Sequence, residues 1–203
     1  MDKFIVSVAD DSHLIYADDI SRLIEDSAKK RGTGIARRSS EYIGSKIKDG
    51  KAIIALGPNK ELAGFCYIES WQDQAYVANS GLIVNPDFRN MGLAQAIKKK
   101  AFKLSRKLFP EARLFGLTTS LAVMKINSDL GYRPVTFNKL TADETFWKGC
   151  ASCVNYEILQ SKKQENCLCT GMLFDPSEKK RQWERKTKKV KDKIKAWKKK
   201  VTN

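Results

Sequence analysis

The chain has 203 residues, and its 42% hydrophobic content suffices for one globular core with some chain left over for an appendage. No apolar run nears the roughly 20 residues that span a bilayer, and Asp2, Asp10 and Asp11 stand where a secretion signal would be basic and then apolar, so a cytoplasmic protein is expected. The net charge of +15 suggests nucleic acid only until it is located: residues 178–203 hold 13 Lys and Arg against three acids, which is +10 of the total.

Residues 4–8 form a short strand pattern, and Ile20, Leu23, Ile24 and Ala28 then fall at helical spacing, with Gly32 able to end the helix. Gly32-Thr33-Gly34 is not a nucleotide loop, because a helix precedes it where a strand is needed and the third glycine is missing. Ser39 or Ser40 caps a second helix holding Tyr42, Ile43 and Ile47 and stopping near Asp49-Gly50. Two apolar strands, 52–56 and 62–70, follow as a hairpin around Gly57-Pro58-Asn59-Lys60. A third strand over 75–84 leads into Asn85-Pro86-Asp87, which stops it.

Beyond that stop, Leu93, Ile97, Ala101, Leu104 and Leu108 lie on one helical face, so the turn from Arg89 to Ala94 feeds a helix N-terminus. Such a terminus offers unpaired N–H groups and the positive end of the macrodipole, and Gly92 and Ala94 have almost no side chain to keep a phosphate away. Pro110 breaks the helix, 114–117 is a buried strand, and 120–130 alternates as a helix ended by Gly131. A last strand is expected over 167–174, with both Cys167 and Cys169 on one of its faces.

The order strand, Arg89-x-x-Gly92-x-Ala94, amphipathic helix resembles the acyl-CoA motif of the GCN5-related N-acetyltransferases. The resemblance implies an α/β fold, a mixed and mostly antiparallel twisted sheet of six or seven strands with helices on both faces. Acetyl-CoA is the implied co-substrate. Its pyrophosphate would lie on Arg89, Asn90, Met91, Gly92, Leu93 and Ala94, and its pantetheine on the strand edge at Leu82, Ile83 and Val84, where a backbone N–H can also steady the oxyanion of acyl transfer. Residues 119–132 are similar to the family segment that continues this site, which adds Thr119, Ser120 and Asn127. Ser120 stands where the family often has asparagine, and Asn127 where it often has the tyrosine that protonates the departing thiolate. Asn127 cannot act as that acid, which leaves Tyr132, Thr119, Ser120 or water.

Glu69 and Asp73 are the carboxylates near the end of the 62–70 strand, and Glu69 is the candidate base for the attacking amine. Arg37 and Arg38 fall where the acceptor site forms in this family, and arginine suits a substrate carboxylate. The stretches 31–34, 79–82 and 116–132 also resemble bacterial acetyltransferases associated with arginine biosynthesis, so a small amino acid such as glutamate is the expected acceptor. A protein or peptide amine is the alternative. A non-catalytic module binding RNA or a partner is the rival from another class.

Cys150-x-x-Cys153 and Cys167-x-Cys169 depart from the plain acetyltransferase pattern. They read either as a structural four-thiolate zinc site or as thiols buried as small apolar groups. Cys66 stands alone as a core residue, and His13 rules out a histidine-rich metal centre. The expected organisation is an acetyltransferase domain over 1–177, including a cysteine-rich segment at 147–175. A basic amphipathic helix over 178–203 follows, with Trp183, Val190, Ile194, Trp197 and Val201 in one stripe. Docking of that helix on the domain, or a homodimer contact, is expected ahead of nucleic acid or a membrane surface.

Overall fold

The computed structural model describes residues 4–31 and 36–178. Gly32, Gly34 and the basic helix expected beyond Glu178 lie outside the described residues. Seven strands form a single sheet: β1 (Ile5–Val8), β2 (Ala52–Leu56), β3 (Leu62–Trp71), β4 (Tyr76–Val84), β5 (Arg113–Thr118), β6 (Arg133–Val135) and β7 (Thr170–Phe174). Their order is β1-β2-β3-β4-β5-β7-β6. Every neighbouring pair is antiparallel except β4 and β5, which the chain joins through the long helix α3 (Leu93–Leu108) as a parallel pair requires.

Two layers of helix cover the sheet. Alternation along β2 sorts its side chains: Ala52 and Ile54 pack with Ile20 and Ile24 of α1 (Ala17–Arg31) and Ile43 and Ile47 of α2 (Ser40–Lys48). Ile53 and Ala55 instead meet Leu93, Ile97 and Ala101 of α3. Burial on both faces explains why β2 is an unbroken apolar run. Further along, α3 packs over Ile68, Val77 and Leu114 with Met124 of α4 (Leu121–Asp129). On the opposite face α5 (Glu144–Lys148) and α6 (Tyr156–Ser161) place Trp147 and Leu159 against Phe115 and Ala78.

The cap expected for α2 holds at Ser39, and α4 has a serine cap that was not anticipated. Ser39 Oγ accepts the Tyr42 N–H at the start of α2, and Ser120 Oγ accepts the Val123 N–H at the start of α4. The last strand corrects the sequence reading: it begins only at Thr170, so Cys167 and Cys169 belong to the loop before β7 and share no strand face. Short β6 and the five- and six-residue helices α5 and α6 were not anticipated, because elements this brief leave no periodicity to read.

Two irregularities of the sheet create the site. β4 pairs with β5 only at Tyr76, Val77 and Ala78, opposite Arg113, Leu114 and Phe115, after which the two strands part. On its other side β4 bulges against β3: Tyr67 stands opposite Ser80 and Phe65 opposite Ile83, so Gly81 and Leu82 face Cys66 alone. Gly81 has φ +64°, and a Cβ there would lie 2.6 Å from the Tyr67 ring. Both the dihedral and the close approach require glycine.

Candidate active site

A cavity of about 550 Å3 opens where β4 and β5 diverge. Its walls come from both strand edges, Asn79 to Leu82 on one side and Gly116 to Thr118 on the other, continued by Thr119, Ser120 and Asn127. Past the ends of the ladder the facing edges of β4 and β5 have no partner strand among the described residues. A ligand with amide groups can complete them as a third strand would. The side chain of Ile83 turns away into the core under α1 and α2, and Val84 packs toward α3, so these two offer the cleft backbone only.

The turn from Arg89 to Ala94 follows β4 at once and does not itself line this cavity. Asn85 closes the strand by accepting the Asp87 N–H, and a 3-10 turn over Pro86–Phe88 ends at Arg89. Asn90 (φ 63°) and Gly92 (φ 76°) both adopt left-handed backbone, which turns successive N–H groups outward. Gly92 is the N-cap of α3 and supplies no side-chain cap, so the first-turn donors are left for an anion. A Cβ at Gly92 would meet nothing within 4 Å, which shows that this face is open. Met91 and Arg89 are exposed, whereas Leu93 is buried under the sheet and contributes only its N–H.

The floor of the cleft is polar and closed to water. Lys98 of α3 is 2% exposed, and its Nζ donates to the Asn79 carbonyl at 3.2 Å. No carboxylate pairs with it among the described residues, and burial holds its amine below the ordinary lysine range. Asn79 is fully engaged: its Nδ2 donates to Ser105 Oγ at 2.7 Å, and its Oδ1 accepts from the Tyr132 hydroxyl at 3.2 Å. Asn127, 1% exposed, lines the cleft with an Oδ1 that has no protein partner among the described residues. An orphaned buried acceptor at a cavity wall is a place for a ligand donor.

Tyr132 takes a different place from the one expected of a proton donor. It is 2% exposed, packs with Phe102 and Phe174, and does not line the cleft. Burial raises its phenol far above the ordinary value, and its hydroxyl is spent on Asn79. Of the three candidate hydroxyls, Thr119 and Ser120 are the ones whose residues line the cavity.

The wall opposite α4 carries a charged aromatic group that sequence reading found only in part. Arg38 Nε donates to the Tyr67 hydroxyl at 2.7 Å, and its guanidinium sits over the Tyr42 ring at 5.5 Å. Burial works against the Arg38 charge, yet Tyr67, Tyr42 and Glu69 together hold its pKa above the ordinary value, so it stays a cation. Glu69 lines the same wall with both oxygens engaged: Lys46 Nζ lies 2.8 Å from Oε1, and the Tyr42 hydroxyl donates to Oε2 at 2.5 Å. Burial, with Tyr67 and Glu69 alongside, raises the Tyr42 phenol well beyond its usual range. Arg37 also borders the cavity, but it is exposed and its guanidinium lies 3.8 Å from Glu25. Of the two arginines, Arg38 is the one built into the wall.

Six residues of the site escaped the sequence reading: Tyr42, Lys46, Tyr67, Asn79, Gly81 and Lys98. Tyr67 had a signal, since it stands two residues before Glu69 on the same face of β3. Lys98 had one too, lying beside Ile97 and Ala101 on the apolar stripe of α3. Asn79 and Gly81 gave none, because their roles depend on how β4 bulges.

Of the four cysteines considered for metal, Cys150 lines the cavity and the others lie behind it. All are free thiols of intermediate exposure. Among the described residues no group of three or more His, Cys, Asp or Glu is closed into metal-holding geometry.

No protein-family model matches the sequence, and no curated protein matches it. The fold does match solved structures. N-acetylglutamate synthase from Neisseria gonorrhoeae, complexed with coenzyme A and N-acetyl-glutamate, aligns with a TM-score of 0.60 at 15% identity over 86% of this chain and 35% of its own. This chain thus spans about a third of that protein. A Mycobacterium tuberculosis protein in complex with CoA aligns with a TM-score of 0.60 at 17% identity, over 84% of this chain and 98% of its own. The ribosomal-protein-S18-alanine N-acetyltransferase from Escherichia coli aligns with a TM-score of 0.52 at 14% identity, over 85% and 94%. The chain therefore has the fold of the GCN5-related N-acetyltransferases, as the turn after β4 implied.

Proposed function

We propose that this protein is an acetyl-CoA-dependent N-acetyltransferase whose acceptor is a small amine bearing a carboxylate. The observation that carries the reading is the union of the two breaks in the sheet: an uncapped, open helix N-terminus at Gly92 directly after β4, and a cavity between the splayed β4 and β5. The first suits a pyrophosphate and the second a chain of amides ending in a thioester. Asn127 Oδ1 would accept one amide N–H of that chain. The structures of similar fold that hold CoA support this assignment.

In the transfer, the amine nitrogen bonds to the acetyl carbon, the carbon–sulfur bond breaks, and the amine loses a proton. We assign that proton to Glu69, reached through the Tyr42 hydroxyl, which passes one proton on as it receives another and ends unchanged. The leaving thiolate needs no dedicated acid, because an alkyl thiol is far more acidic than an alcohol and its thiolate can leave before it is protonated by water. That accounts for an asparagine at position 127. Arg38, held by Tyr67 and stacked near Tyr42, is placed to bind the acceptor's carboxylate on the same wall as Glu69. Glutamate, the acyl acceptor named by one structural neighbour's bound product, is the first acceptor to try.

The test is a thiol-release assay across amino acids and short peptides with wild type and Arg38→Ala. We expect activity on an amino acid, and in the variant a KM for that acceptor raised by about 10- to 100-fold with acetyl-CoA affinity unchanged. Equal KM values for the two proteins would remove Arg38 from the acceptor site. Activity confined to peptides would assign the runner-up acceptor class.

A further inference from the structure

The part of the chain that closes the acceptor side of the cleft has few elements to hold it. Between Lys148 and Tyr156 it makes successive turns, and α5 and α6 on either side are of five and six residues. Helices this short do not persist by themselves. From Lys162 to Cys169 the chain is loop and turn. Yet this stretch carries four of the five cysteines, in two pairs separated by 13 residues.

The fold brings these pairs together. Cys150, Cys167 and Cys169 pack against the same cluster around Phe146, Trp147 and Leu159. Cys153 joins them through the turn, its N–H donating to the Cys150 carbonyl at 2.9 Å, so both pairs of thiols meet beside this cluster. The backbone is already arranged toward two of them. The Asn155 N–H donates to Cys153 Sγ at 3.4 Å and the Cys169 N–H to Cys167 Sγ at 3.3 Å, each from two residues further along. An N–H aimed at sulfur favours the thiolate and fixes its direction, as outer-shell donors do for metal ligands.

We propose that Cys150, Cys153, Cys167 and Cys169 bind one structural Zn2+ that ties the turn after α5 to the loop before β7. As four S–Zn bonds form, the four thiols lose four protons to solvent and nothing is oxidised or reduced. The thiols are free and part-exposed and, among the described residues, do not stand in metal-holding geometry, so binding requires these side chains and the turn and loop that carry them to rearrange. The tetrathiolate carries two net negative charges, and the Arg38 guanidinium lies close to Gly149, the residue before Cys150. Ser152, between the first two cysteines, accepts the Arg37 N–H at 3.1 Å, so the clamp bears on the loop that presents Arg38. A closed set of four thiolates has no open position, which makes this metal structural and not catalytic. The inference is independent of the acetyl-transfer reading.

The experiment is elemental analysis of the full chain purified under reducing, anaerobic conditions, with Co2+ titration of the metal-free protein. About one zinc per chain is expected, together with the strong thiolate charge-transfer and tetrahedral d–d bands of cobalt. Cys153→Ser and Cys167→Ser should each reduce bound zinc to below about a tenth per chain, while Cys66→Ser leaves it unchanged. Should the first two variants fail to fold, a chromogenic disulfide reagent still decides. With zinc bound it should count four fewer reactive thiols in wild type than after chelation. A folded wild type that binds neither metal, a cobalt spectrum lacking thiolate bands, or thiols found paired as disulfides would each overturn the proposal.

Discussion

At the scale of single residues, the cleft floor carries a buried lysine that no carboxylate pairs among the described residues. Lys98 is buried with one hydrogen bond, to the Asn79 carbonyl, and its amine sits below the ordinary 10.5 because burial disfavours its charge. The unfolded chain therefore holds this proton more tightly than the folded one. The resulting penalty is complete below the folded pKa and is relieved as pH rises from that value toward 10.5. Wild type should thus gain stability relative to Lys98→Met as pH rises toward 10.5, in urea melts of both proteins. A difference that stays flat with pH would mean that Lys98 titrates normally. Residues were legible in the sequence when their role was local. Arg38 and Glu69 could be named from charge and strand parity. Tyr67 shares the strand parity of Glu69, but the Tyr42 and Lys46 that engage Glu69 could not be named, because α2 and β3 meet only in the folded molecule. Tyr132 was misread for the same reason: its place after Gly131 suggested the cleft, and packing against Phe102 and Phe174 takes it below.

At the scale of elements, the site depends on two glycines that fail in different ways when changed. Gly81 holds the β4 bulge with a left-handed dihedral and a close approach to Tyr67, so Gly81→Ala meets both strain and a clash. We expect a loss of about 2–4 kcal/mol in denaturant unfolding, along with weakened acceptor binding, since Tyr67 anchors Arg38. A variant as stable as wild type would show that the bulge relaxes freely. Gly92 has the dihedral without the crowding. Gly92→Ala should therefore cost only about 1 kcal/mol of backbone strain and leave the open face usable. The long elements were readable because period and burial agree in them: the continuous run of β2, the alternation feeding β4, the stripe on α3. The divergence of β4 from β5 was implied by resemblance alone. The region from 137 to 169 stayed opaque because its helices are shorter than two turns and its order rests on contacts with Phe115 and Ala78.

At the scale of the whole molecule, the sheet sets two features beside the divergence of β4 and β5: the uncapped N-terminus of α3, and the wall of Arg38, Tyr42, Tyr67 and Glu69. The parallel β4–β5 pair is the hinge of this arrangement, since it alone requires a crossover helix whose N-terminus points at the parting strands. No helix among the described residues is long and apolar enough to cross a membrane. The central claim is that this crevice binds acetyl-CoA, and it is tested most directly by calorimetric titration of wild type, Gly92→Ala and Gly92→Glu with acetyl-CoA. The glutamate places a like charge where the pyrophosphate should lie. The account predicts saturable one-to-one binding by wild type, near-normal binding by Gly92→Ala, and affinity reduced by about 100-fold or more in a folded Gly92→Glu. Absence of heat with folded wild type, or equal binding by wild type and Gly92→Glu, would contradict it.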